Sequence, residues 1–114
     1  MANARQARIA LATALCVAAL FPASGAALAK PARCFTTDDG EFACDFRMTD
    51  RDGSFTISAP GKPTYILNMS GAGAAYGFTQ IGSKSIPLPG RYLRDPADRA
   101  CWMNDATKTK ICAR

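Results

Sequence analysis

The chain begins with one long apolar run and then changes to short alternating runs. The apolar run covers residues 9–21 and is broken only by Thr13. After residue 40, apolar side chains recur at every second position between turns rich in glycine, proline and aspartate. A period of two indicates half-buried β-strands, because successive side chains of a strand point to opposite faces of its sheet. No segment after residue 29 carries the 3.6-residue apolar stripe of an amphipathic helix.

The clearest predicted element is a β-hairpin. Residues 41–49 alternate apolar and polar side chains, and residues 54–59 repeat that alternation. The segment Asp50-Arg51-Asp52-Gly53 between them is a strong turn signal. A third strand is predicted over residues 64–70, where the alternation resumes after a proline-rich break.

The remaining predicted strands are shorter. Residues 71–77 are rich in glycine and alanine and predict a loop. Pro87 restricts its strand to the edge of a sheet, because proline lacks the N–H that a ladder needs. The further predicted strands cover residues 78–81, 85–88, 91–94, 100–104 and 109–113. The sequence therefore predicts one all-β domain of seven or eight short strands, folded as a small barrel or sandwich.

The first 29 residues have the order of a secretory signal peptide. Arg5 and Arg8 precede the apolar run without any acid, and Ala27-Leu28-Ala29 offers small residues where a signal peptidase cleaves. A membrane anchor is the alternative, but a spanning helix needs about 20 apolar residues. We therefore expect cleavage after Ala29, a single exported domain over residues 30–114, secretion or a periplasmic location, and no stable membrane anchor after cleavage.

Removing the signal changes the charge. The whole chain has a formal net charge of +5, whereas residues 30–114 hold twelve basic and nine acidic side chains, a net charge of +3. A mild positive charge does not predict a nucleic-acid partner. Six basic residues lie between positions 91 and 114, with the aromatic residues Tyr92 and Trp102 interspersed among them. We interpret them as a solubilising face, and a surface that binds an anionic partner is the alternative. These basic residues are Arg91, Arg94, Arg99, Lys108, Lys110 and Arg114.

The cysteines predict two disulfides. Cys16 lies in the signal and is discarded with it, which leaves Cys34, Cys44, Cys101 and Cys112. Four cysteines in a short exported chain indicate disulfides, since a core of this size is marginal without covalent support. A zinc site is disfavoured, because the spacings lack C-x-x-C and the chain has no histidine.

Three pairings of these cysteines are open. The local pairing joins 34 to 44 and 101 to 112, and the nested and crossed pairings are the alternatives. The last hairpin favours the local pairing: if Asn104 faces Thr109, Cys101 falls directly opposite Cys112.

The residue content argues against catalysis. The chain has no histidine to serve as a base near neutral pH. The four cysteines of residues 30–114 are expected to form disulfides, so none of them is a free thiol that could act as a nucleophile. Most aspartates lie in turn signals, where they support the backbone. We therefore expect no enzyme activity, no cofactor and no metal. A small hydrolase that uses paired carboxylates is the alternative.

The glycine-rich segment carries the most specific motif. Ser70-Gly71-Ala72-Gly73-Ala74-Ala75-Tyr76 resembles the S-G-x-G-A-x-Y motif of the periplasmic and membrane-bound inhibitors of C-type lysozyme, which are small exported β-barrels. The resemblance implies a loop that inserts into or near the lysozyme cleft, with Ser70 and Tyr76 in contact. The family's second motif is W-x-K-G. Lys84 is the nearest candidate for its lysine, but the tryptophan and the glycine of that motif are missing around it. The candidate binding residues are Ser70, Gly71, Gly73, Tyr76 and Lys84.

The sequence as a whole predicts a non-enzymatic exported domain that binds a partner in the cell envelope or outside the cell. A protein is one candidate for that partner, and an inhibitor of C-type lysozyme is the specific alternative.

Overall fold

The computed structural model describes residues 28–114, so the predicted signal peptide lies outside the described residues except for Leu28 and Ala29. These residues form nine strands and no helix. The strands are β1 (Lys30–Thr36), β2 (Gly40–Met48), β3 (Phe55–Ser58), β4 (Thr64–Gly71), β5 (Ala74–Ile81), β6 (Lys84–Pro87), β7 (Tyr92–Arg94), β8 (Cys101–Asn104) and β9 (Lys110–Ala113). The predicted all-β class is confirmed.

Eight of the strands close into an antiparallel barrel. The strand order is β4-β3-β2-β1-β9-β8-β7-β5, and β4 also pairs with β5, which closes the ring. The extra strand β6 pairs with β5 alone, as predicted for a strand that holds Pro87. Of the two predicted architectures, the barrel is therefore correct and the sandwich is not. The structure also has one strand more than the eight predicted: this is β1, which has no alternating pattern in the sequence.

The hairpins that the alternation predicts are present. In β2 and β3, Phe46 lies opposite Ile57 and Met48 lies opposite Phe55. The last hairpin has the predicted register, with Cys101 opposite Cys112. The agreement arises because a short turn between two alternating runs fixes their register, and a slip of one residue would turn every apolar side chain out of the core.

The prediction of a loop over residues 71–77 is wrong. Strand β5 begins at Ala74, so only Ala72 and Gly73 connect it to β4. The inward-facing residues at the start of β5 are Ala75 and Gly77, both buried. Their small size hides the period of two, because alternation of alanine, glycine and tyrosine does not read as a hydrophobic pattern.

The core fills the barrel with one aromatic cluster and several branched side chains. Phe55 lies between Phe46 and Trp102, with ring centroids 5.1 Å and 6.4 Å away. Ile57 and Leu67 are fully buried beside them. Aromatic rings in this arrangement stabilise the fold by more than the burial of their apolar area alone would provide.

Both disulfides have the local pairing, which confirms that alternative. Cys34 bonds to Cys44 inside the barrel, where both belong to the core. Cys101 bonds to Cys112 across β8 and β9 with Cα atoms 4.0 Å apart. This second bridge lies on the outer face of the wall, since the neighbouring Trp102 points inward and side chains alternate along a strand.

Candidate functional site

The candidate binding residues divide between the two ends of the barrel. Because all neighbouring strands are antiparallel, the β2–β3 turn, the β4–β5 turn and the β7–β8 loop lie at one end, which we call the glycine end. The β1–β2, β5–β6 and β8–β9 turns lie at the opposite end. The location of each residue therefore follows from the turn to which it is closest.

The hairpin tip, residues 70–73, is exposed on a fixed base. All four of its residues are exposed. The buried hydroxyl of Ser54 accepts a hydrogen bond from the N–H of Met69 at 2.8 Å, and the strand register shifts between Met69 and Gly71. On the other side, the N–H of Arg94 donates to the carbonyl of Gly73 at 2.9 Å. Gly73 has φ +69°, a conformation that favours glycine.

Tyr76 stands on the outer wall of the barrel, next to the tip. It lies opposite Asn68 on β4, and its side chain is 51% exposed. Its two neighbours, Ala75 and Gly77, are buried in the wall. The position of Tyr76 is therefore set by the packing on both sides of it, although its own ring faces outward.

Lys84 does not join this group. It pairs with Ile81 at the opposite end of the eight-residue strand β5. At about 3.3 Å per residue, such a strand separates the two ends by roughly 23 Å. The structure therefore brings Ser70, Gly71, Gly73 and Tyr76 together and leaves Lys84 apart from them.

A cleft beside the hairpin tip contains two arginines that sequence reasoning assigned to a solubilising face. We call it the arginine cleft; its volume is about 230 Å³, and it is lined by Phe46, Met48, Gly53, Phe55, Arg94, Arg99, Ala100, Trp102 and Ala113. The guanidinium carbon of Arg94 lies 4.6 Å from the centre of the Trp102 ring. One feature of the sequence is consistent with this arrangement: Tyr92 and Arg94 are two residues apart in a predicted strand, so their side chains lie on the same face of the sheet.

Three of the other basic residues near the end of the sequence bond to groups elsewhere on the barrel. Arg114 contacts Asp98 at 2.8 Å, and Arg91 contacts Asp105 at 3.6 Å at the opposite end of the barrel. Lys108 donates to the carbonyl of Asp105. The apparent basic cluster of the sequence is thus divided: Arg94 and Arg99 line the arginine cleft, and the other four basic residues, including Lys110, lie outside it.

The acidic side chains support turns and ion pairs. The hydroxyl and backbone N–H of Ser54 hold the pKa of Asp50 below its usual value. The guanidinium of Arg114 lowers the pKa of Asp98, and the backbone N–H of Arg91 lowers that of Asp105. These carboxyl groups are therefore ionised at neutral pH and are suited to accepting hydrogen bonds.

One shallow cleft on the outer wall brings two carboxylates near each other. Glu41 and Asp98 both line it, and each contacts an arginine, Arg33 and Arg114 respectively. A hydrolase of the predicted type needs one carboxyl group whose pKa is raised so that it stays protonated. The lowered pKa of Asp98 suits only the ionised member of such a pair. Residues 28–114 contain no group of three potential ligand side chains that could hold a metal ion.

Comparison with protein-family models, with curated proteins and with solved structures found no match to the chain. In the described part of the chain, no helix is long and apolar enough to cross a membrane. The candidate site is therefore defined by its geometry: an exposed glycine-containing hairpin tip, an outward-facing tyrosine and a cleft with two arginines, all at or beside one end of a disulfide-bonded barrel.

Proposed function

We propose that the chain is an exported, non-enzymatic protein, secreted or periplasmic, that recognises a protein partner through the hairpin tip and Tyr76. Two intramolecular disulfides support an extracellular or periplasmic location, since such bonds persist in oxidising compartments.

The observation that carries the proposal is the exposed tip on its fixed base. Binding segments are commonly loops held in place by a rigid scaffold. The tip contains two glycines and no large side chain, so a partner can approach its backbone closely and bond to its N–H and carbonyl groups. Tyr76 adds a large exposed ring with a polar hydroxyl, and such residues are enriched at the centres of protein interfaces.

Site-specific cross-linking tests the proposal. A photoreactive phenylalanine analogue replaces Tyr76 in one variant and Lys84 in a matched variant, and both are exported from the producing cell. We expect a discrete cross-linked protein adduct from position 76 and none from position 84, because Tyr76 lies beside the hairpin tip and Lys84 lies at the opposite end of the barrel. Equal adducts from both positions, or none from position 76, would contradict recognition through the tip.

A second candidate function is inhibition of C-type lysozyme, which the exposure of both Ser70 and Tyr76 supports. Purified residues 30–114 should then block a C-type lysozyme at a near-equimolar ratio. Tyr76→Ala should weaken inhibition by roughly 30-fold, the effect of losing an interface hot spot. The matched control is Ile81→Ala, which removes an apolar side chain of similar exposure, 59% against 51%, at the opposite end of the barrel. Full lysozyme activity in a large excess of the protein would refute this candidate and leave the broader proposal intact.

A further inference from the structure

We propose that the arginine cleft binds the carboxylate of a small apolar or aromatic acid, with the apolar group against Phe46 and Met48 and the carboxylate on Arg94 and Arg99. This inference does not rest on the proposed function, because the hairpin tip is not part of the cleft lining.

The charges of the cleft are all of one sign. Arg33, Arg91 and Arg114 each pair with a carboxylate, but among residues 28–114 neither Arg94 nor Arg99 does so. The cleft lining contains no acidic side chain at all. The guanidinium donors of both residues are thus available to an anion, and a guanidinium matches the two oxygens of a carboxylate in a fork geometry.

Arg94 is held in position by the ring beneath it. Its guanidinium lies over the face of Trp102, which is 3% exposed, so one flat side of the group is occupied. Stacking of this kind leaves the N–H edge of the guanidinium free to donate. Arg94 therefore offers donors without the full loss of side-chain freedom that a loose arginine would suffer on binding.

Arg99 lies on a loop that its own hydrogen bonds hold in place. Asp95 and Cys101 are joined by a backbone bond at 2.9 Å, as are Cys101 and the carbonyl of Asp98. The side chain of Asp98 accepts a bond from the N–H of Ala100 and contacts Arg114. The second disulfide begins at Cys101 and fixes the end of this loop. The cleft is thus largely formed before a ligand enters.

The floor and volume of the cleft indicate the apolar part of the ligand. Phe55 and Trp102 are only 4% and 3% exposed, so the apolar surface open to a ligand comes from the partly buried ring of Phe46 and from the flexible side chain of Met48, which is 45% exposed. A cavity of about 150 Å³ holds a benzene molecule. The volume of about 230 Å³ in this cleft therefore accommodates one ring or a short branched chain together with a carboxyl group.

Two sources can supply this chemistry: a free organic acid, or the carboxyl terminus of a peptide that ends in an aromatic residue. Phenylacetate represents the first source and N-acetylphenylalanine the second. Tighter binding of N-acetylphenylalanine would assign the cleft to chain termini, whereas tighter binding of phenylacetate would assign it to free acids. Either result supports the carboxylate site.

The test uses Trp102 as its own probe, because it is the only tryptophan of the chain. Purified residues 30–114 with both disulfides intact are titrated with phenylacetate while tryptophan fluorescence is recorded, and calorimetry provides a second readout. We expect a saturable change with phenylacetate and at least tenfold weaker binding of phenylacetamide, which has the same ring and no charge. Equal binding of the two compounds, or no saturable binding of any of the acids, would overturn the proposal.

Arginine-to-glutamine variants test whether phenylacetate binds in the arginine cleft. Arg94→Gln and Arg99→Gln should each weaken phenylacetate binding by about tenfold, the ratio expected for loss of a charge-assisted hydrogen bond. Arg51→Gln is the matched control, since it removes the same charge from the neighbouring β2–β3 turn outside the cleft lining. Unchanged binding in Arg99→Gln, or an equal loss in Arg51→Gln, would show that the anion is not held by the cleft.

Discussion

Two glycines, Gly71 inside the motif and Gly77 directly after it, allow a quantitative test that separates structure from recognition. An added Cβ at Gly77 would lie 2.5 Å from Cε2 and 2.8 Å from Cδ2 of Tyr92. Carbon atoms pack at about 3.5–4.0 Å, so the ring of Tyr92 would have to move by roughly 1 Å. Tyr92 is buried, and Leu88 lies on the same side at 3.3 Å.

We therefore expect Gly77→Ala to destabilise the barrel. Overpacking typically costs about 1–3 kcal/mol, and the reduced freedom of the unfolded chain offsets about 0.4–1 kcal/mol of it. A net loss of roughly 1–2 kcal/mol corresponds to a fall in Tm of roughly 5–15 °C for a domain of this size. The assay is thermal and urea unfolding of the disulfide-bonded protein.

Gly71 supplies the matched control. A Cβ there would meet no atom within 4 Å, and its backbone lies outside the positive-φ region. Gly71→Ala should thus leave the free energy of unfolding unchanged or raise it by up to about 1 kcal/mol. A Gly77→Ala protein as stable as the wild type, or an equal loss from Gly71→Ala, would refute the packing argument. If the tip recognises a partner, Gly71→Ala should instead weaken that binding, since its methyl group stands where a partner's backbone would approach.

Other predictions concern stability. Asn104→Ala removes three hydrogen bonds of a fully buried amide and should cost about 3 kcal/mol in urea unfolding, whereas a loss well below about 1 kcal/mol would contradict this. Replacing Cys101 and Cys112 by serine opens a loop of sequence separation 11 and should cost about 3 kcal/mol; unchanged unfolding would refute it. Because Arg114 lowers the pKa of folded Asp98, the stabilisation is present above the unfolded value of about 3.9 and is lost as the pH falls through the folded pKa. Asp98→Asn should therefore flatten the acid side of a plot of Tm against pH, and an unchanged slope would contradict the assignment.

The parts of the fold that the sequence predicts are the local ones. The β2–β3 and β8–β9 hairpins follow from alternation and a turn, and the Cys101–Cys112 bridge follows from the register of its hairpin. Strand β1 and the start of β5 escape prediction because their inward positions hold small or polar residues such as Thr36 and Ala75. Their burial is decided by neighbouring strands, which local periodicity does not record.

The candidate site likewise has one part that the sequence predicts and one part that it does not. The motif that ends at Tyr76 is contiguous, so the sequence marks it, and the structure adds only that its tip is exposed. The arginine cleft joins Phe46, Phe55, Arg94 and Trp102 from four strands, and only barrel closure makes them neighbours. Lys84 shows the converse relation: it lies near the motif in sequence, but strand β5 separates it from the hairpin tip in space.

The two disulfides have a consequence for how the chain matures. Each joins cysteines that are consecutive in the folded part, with sequence separations of 10 and 11, and each lies across one hairpin. During vectorial synthesis or translocation, Cys34 and Cys44 emerge long before Cys101, so oxidation in the order of emergence produces the native pairs directly. Disulfide reshuffling takes seconds to hours, and this order avoids it. The slow step that remains is noncovalent: it is the pairing of β1 with β9, the first and last strands in sequence, which is the most non-local contact of the ring.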